Sequence, residues 1–160
     1  MKTVAACLWI VLAILPLAGP STSKEPFSLL MGAVQGKLPP GSQVELKLTL
    51  TNTSDREIIV RDTNRWCDYL LEVRDGEGQL VPETEYKRDL TCRGAGHVSI
   101  GKNIVRLLKP HESFEDQFLL NQSYDLSRPD DYSIQVIRPI STELGTGVVK
   151  SNTIFITLAK

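Results

Sequence analysis

Residues 41–60 read Gly-Ser-Gln-Val-Glu-Leu-Lys-Leu-Thr-Leu-Thr-Asn-Thr-Ser-Asp-Arg-Glu-Ile-Ile-Val. Val44, Leu46, Leu48 and Leu50 alternate with Glu45, Lys47, Thr49 and Thr51. A period of two puts the apolar set on one face of a strand and the polar set on the other. Asn52 to Asp55 is turn chemistry, and Glu57 to Val60 starts a second β-rich run, so the stretch predicts two strands of a half-buried sheet.

The same reading extends outward in both directions. Phe27–Val34 predicts an edge strand, and Pro39-Pro40-Gly41 a turn into the strand above. Tyr69, Leu71 and Val73 alternate again. Asp75-Gly76-Glu77-Gly78 is a tight turn with two residues able to take positive φ, and Gln79-Leu80-Val81 reads as its hairpin partner. Residues 83–101 lack either period. Asn103–Leu108 and Phe114–Leu120 resume strand character around the turn Lys109-Pro110-His111-Glu112, and Tyr124–Pro129 is a crossover with room for one helical turn. Tyr132, Ile134 and Val136 form another row, Pro139–Gly147 reads as a long turn, and Ile154, Ile156 and Leu158 close the pattern. About eight short strands without an amphipathic helix predict an all-β, antiparallel sandwich rather than a βαβ fold.

Lys2 followed by the apolar run Val4–Leu15 and small residues from Ala18 has the form of a secretory signal. The run is too short for a confident membrane span. Residues 1–21 are therefore expected to be removed, leaving 22–160 as one domain, secreted or periplasmic, with no membrane insertion after cleavage. The chain has 18 Lys+Arg and 19 Asp+Glu, and losing Lys2 leaves a net charge of about −2 without a basic stripe, which argues against nucleic acid as a partner.

Cys7 leaves with the signal, so Cys67 and Cys92 remain as an even pair in an oxidising compartment, where a disulfide is the expected state. Closing a loop of about 26 residues is worth roughly 3.5 kcal/mol on the chain-entropy model. Such a bond would staple two irregular stretches and present Arg65, Trp66, Tyr86, Arg93 and His97 together, side-chain types common in binding patches. The plainer account has Trp66 capping the core beside the disulfide.

Catalytic and metal chemistry find little support. His111-Glu112 begins like a zinc-protease motif, but Glu115 stands where the second histidine belongs. Asp62, Asn64 and Asp68 could offer oxygens to calcium, yet Cys67 and Val73 occupy the EF-hand glycine and bidentate-glutamate places. His97 and His111 lie in separate loops, no Gly-x-Ser-x-Gly elbow occurs, and Gly94-Ala95-Gly96 lacks the strand–helix context of a phosphate loop. No cofactor and no enzymatic activity are expected. Asn52-Thr53-Ser54 and Asn121-Gln122-Ser123 fit the glycosylation pattern.

The segments VELKLTLTNTSD, LLKPHESFEDQFLL, YDLSRPDDYSIQV and SNTIFITL together resemble exported immunoglobulin-like β-sandwich domains of uncharacterised bacterial proteins. They are similar to BsuPI-type proteinase-inhibitor domains and to the N-terminal sandwich of peptidyl-lysine metalloendopeptidases. The resemblance runs from about Phe27 to Leu158. It implies an immunoglobulin-like fold, a tyrosine corner at Tyr132, and a glycine more usual than His111 in the turn before Phe114. The antibody Cys…Trp…Cys arrangement is absent, with Trp66 adjacent to Cys67. The chain as a whole is read as a non-catalytic, monomeric module that binds a protein or extracellular ligand; proteinase inhibition, implied by the BsuPI-type resemblance, and an accessory role beside an extracellular enzyme are the alternatives.

Overall fold

A computed structural model describes residues 26–33, 37–62, 68–89, 104–142 and 145–159. The chain is a β-sandwich of largely antiparallel strands. Ten strands lie among the described residues: β1 Phe27–Ala33, β2 Lys37–Leu38, β3 Glu45–Asn52, β4 Ile58–Asp62, β5 Leu70–Arg74, β6 Ile104–Leu108, β7 Ser113–Leu119, β8 Asp130–Thr142, β9 Gly145–Lys150 and β10 Ile154–Leu158. One sheet has the order β1-β3-β7, and the other β2-β10-β8-β5 with β9 also on β8. β4 and β6 form a two-stranded ribbon. β4 also lies against β8, without a ladder between them.

The alternating rows become the core. Leu46, Leu48 and Leu50 of β3 are fully buried, facing Tyr132, Ile134 and Val136 of β8 and Ile156 and Leu158 of β10. The first segment changes sheets: β1 pairs antiparallel with β3, then β2 pairs parallel with β10. Between them the exposed edge of β1 is closed by a side chain. Asn152 accepts from the Met31 amide (2.8 Å) and donates to the Met31 carbonyl (3.0 Å), as a neighbouring strand would.

Turn chemistry sets the register. Ser42 N donates to Pro39 O, with Gly41 at φ 82°. The turn Lys109–Glu112 has the same form with His111 at φ 61°, a position where glycine is easier. In the Asp75–Gln79 turn, Gly78 takes positive φ. Gly76 is needed for space instead, since a Cβ there would lie 2.5 Å from Asp130 Oδ1. Asn52 binds two turns together. Its Nδ2 donates to the carbonyls of Arg56, Leu108 and Lys109, while its Oδ1 accepts from Ser54 N and Oγ.

Several expectations need correction. Pro139–Gly147 is not a long turn, because β8 continues to Thr142 and pairs with β9 as a hairpin. Pro139 is tolerated because β8 directs Val136 N and O toward the β9 side, where Ser151 Oγ and N meet them. Pro139, of opposite parity, would aim its missing N–H the other way, beyond the last β5 partner at Ile137. Gln79–Val81 makes one bridge, Arg74 to Leu80, rather than a strand. Short helices also occur, α1 Glu85–Asp89 and α2 Leu120–Ser123. Thr84 caps α1, its Oγ1 accepting from Lys87 N and donating to Gln122 O, which docks α1 on α2.

Candidate functional site

The row that buries Tyr132, Ile134 and Val136 continues to Arg138 and Ile140, and all five are buried. Arg138 is 2% exposed, a full charge in a core position. Three other strands do the same at this end of the sandwich. Asp62 follows Ile58 and Val60 in phase, Arg106 precedes Leu108, and Asp116 stands between Phe114 and Phe118.

These side chains meet. Arg138 Nη2 donates to Asp62 Oδ1, and Arg106 Nε donates to Asp62 Oδ2 at 2.6 Å, so one carboxylate serves two guanidinium groups. Arg138 lies over the Tyr69 ring at 4.6 Å and near Phe114 at 5.4 Å, and Arg106 covers the same Phe114 at 4.8 Å. Tyr69 donates to Asp116 Oδ2 at 2.9 Å and packs edge-on against Phe118. Arg138 Nε and Nη1 have no hydrogen-bond acceptor among the described residues.

Burial pushes the Tyr69 phenol well above its ordinary value, with Arg138 opposing and Asp116 adding to the rise. Burial works against the Arg138 charge, but neighbouring Tyr69 and Asp62 outweigh it, so the guanidinium stays cationic. Two arginines, two aspartates and two rings make a compact polar plug that ties β4, β6, β7 and β8 together. Replacing such a plug by apolar groups is often neutral, whereas removing one member strands a buried charge.

Above the plug the ribbon turns an apolar face to solvent. Ile59 (38% exposed) stands opposite Leu107 (54%), and Val105 (61%) lies opposite Arg61. Large side chains exposed side by side on a two-stranded ribbon make a contiguous patch rather than isolated surface residues.

The other sequence-derived candidates fall elsewhere. Arg65, Trp66, Cys67, Cys92, Arg93 and His97 lie outside the described residues. Tyr86 is exposed on α1. Tyr132 donates to the carbonyl of Arg128, four residues earlier, at 2.9 Å. Asp62 is not a loop oxygen awaiting calcium, because both of its oxygens are engaged by arginine. His111 is exposed, with Asp55 3.9 Å away. No group of three His, Cys, Asp or Glu among the described residues could hold a metal. Both glycosylation asparagines spend their amides structurally: Asn121 donates to Ser42 O and accepts from Val44 N, and Asn52 is fully buried. An open groove of about 600 Å³ between residues 82–88 and 121–127 is lined by Glu83, Glu85, Arg88 and Asp125 among others.

No family model and no curated protein sequence matches the chain. Solved structures similar to it include the structural-genomics target SoR45, at 12% identity over 82% of this chain and 84% of that one, TM-score 0.45. Another is the ASH/PapD-like domain 7 of human CEP192, at 12% identity over 97% of this chain and 99% of that one, TM-score 0.40. Neither likeness bears on activity.

Proposed function

We propose that this chain is an exported, non-catalytic immunoglobulin-like module that recognises a protein partner through its β4–β6 ribbon. One observation carries the reading: Ile59, Val105 and Leu107 form an exposed apolar patch on a ribbon with no third strand among the described residues. The polar plug beneath it holds that ribbon rigidly against β7 and β8, which spares ordering cost on binding. The signal-like leader supports action outside the cytoplasm, and an accessory role beside an extracellular enzyme is one form of the same reading.

A photo-crosslinking residue placed at Leu107, and in a second variant at Leu30, tests it in the native secretome. Leu30 is equally exposed but on the β1-β3-β7 sheet. Crosslinks from position 107 and none from 30 are expected; equal capture, or none from either, would sink the proposal. Inhibition of a serine-protease panel, lost on changing Arg93, would replace it with the BsuPI-type reading.

A further inference from the structure

We infer that the partner presents an extended segment, with an acidic residue between two apolar ones, which adds as a strand beside β6. This rests on the binding reading above and names the partner's chemistry.

β6 has β4 on one side and no ladder on the other among the described residues, while β4 lies against β8. Among the described residues the open edge of the ribbon is therefore β6, and an open edge offers alternate N–H and C=O groups to an added strand. Two other edges are guarded. The side-chain amide of Asn152 closes β1 at Met31, and β7 turns the polar Ser113, Glu115 and Gln117 outward. β6 instead turns Val105 and Leu107 outward, beside Ile59.

An inward charge commonly protects an edge, and Arg106 is such a charge. Here it is matched by Asp62 and held over the Phe114 ring, so it does not bar an approaching strand. Its Nε is spent, and its two terminal nitrogens have no partner among the described residues. They make a ready fork for a carboxylate. Residues 56–62 and 104–109 hold four cations, Arg56, Arg61, Arg106 and Lys109, against two carboxylates, Glu57 and Asp62, in a chain of formal net charge −1. The patch is thus cationic and apolar on a slightly acidic molecule, and its complement is acidic and apolar.

The inner side of the added strand would set a carboxylate at Arg106. Its outer side would set apolar residues at Val105 and Leu107, following the period of two.

Selection of random ten-residue peptides from a display library on the mature protein tests the idea. Expected is enrichment of Asp or Glu with an apolar residue on either side, lost on Leu107→Ser. Arg106→Gln should remove the acidic preference, and Arg106→Lys should retain part of it. N-methylation of the selected peptide should weaken binding at least tenfold at amides of one parity and less than twofold at the other. Basic or unpatterned selections, or equal sensitivity at both parities, would overturn the inference. So would a lack of selection while position 107 still crosslinks, and that result leaves the binding reading standing. Val105→Lys, with its thermal midpoint compared with the parent, guards against a variant that merely unfolds.

Discussion

Asp62 answers two arginines, and the balance of that exchange is measurable. Asp62→Asn removes the countercharge of a guanidinium that is 2% exposed. A loss of about 3–5 kcal/mol is expected, because Arg138 is then buried without compensation. Changing Asp62 and Arg138 together to leucine should recover most of that loss, and denaturant midpoints of the parent and the two variants decide. Tyr69 gives the plug a pH signature. Its folded-state pKa is raised above the unfolded value of about 10. Its contribution is therefore fully present below about pH 10 and lost as pH climbs toward the folded value. Tyr69→Phe should be less stable by about 1 kcal/mol at neutral pH, through the lost bond to Asp116. That gap should narrow above pH 10, and a gap independent of pH would contradict the assignment.

At the scale of elements, the β3–β4 and β6–β7 turns are held together by one residue. Asn52 uses its whole amide on the carbonyls of Arg56, Leu108 and Lys109 and on Ser54, while its backbone binds Glu112 O and His111 N. Asn52→Ala should cost about 3 kcal/mol, since it leaves several buried polar groups unpaired at once. Thermal unfolding checks this, and a change below about 1 kcal/mol would mean that the turns hold without it. The same geometry bears on the glycosylation pattern. A glycan on Asn52 would consume the nitrogen that the two turns share, so the folded chain has no place for one there.

Across the whole molecule, the sandwich was legible wherever alternation was pure. Val44 to Leu50 and Tyr132 to Val136 point to their core faces without help. Legibility failed where a charge entered the row. Arg138 stands in phase between Val136 and Ile140, so apolar alternation alone ends the strand at Val136, and Pro139 reinforces the break. The plug itself could have been found from its parts. Asp62, Arg106, Asp116 and Arg138 each occupy a core-facing phase, two of each sign, but only the three-dimensional crossing of four strands brings them together. The exposed patch was harder to see, because Ile59, Val105 and Leu107 look like core residues until the ribbon is found to have no third strand among the described residues. The proposed Cys67–Cys92 bond has its own test on the exported protein. Intact mass should place the start of the chain near residue 22 and rise by two hydrogens on reduction, with stability falling by roughly 3.5 kcal/mol. Two free thiols would refute the bond.

The short ladder of Lys37 and Leu38 against Thr157 and Leu158 runs parallel, and Ala159 N adds a bond to Leu38 O. Parallel strands pulled apart from opposite ends are loaded in shear, so their bonds must give way together rather than unzip one by one. A tether drawing residue 26 away from residue 159 would meet that patch as a mechanical clamp. Tension along the chain's own length therefore meets bonds loaded together, whereas the antiparallel β4–β6 ribbon pulled at one end loads its ladder one bond at a time.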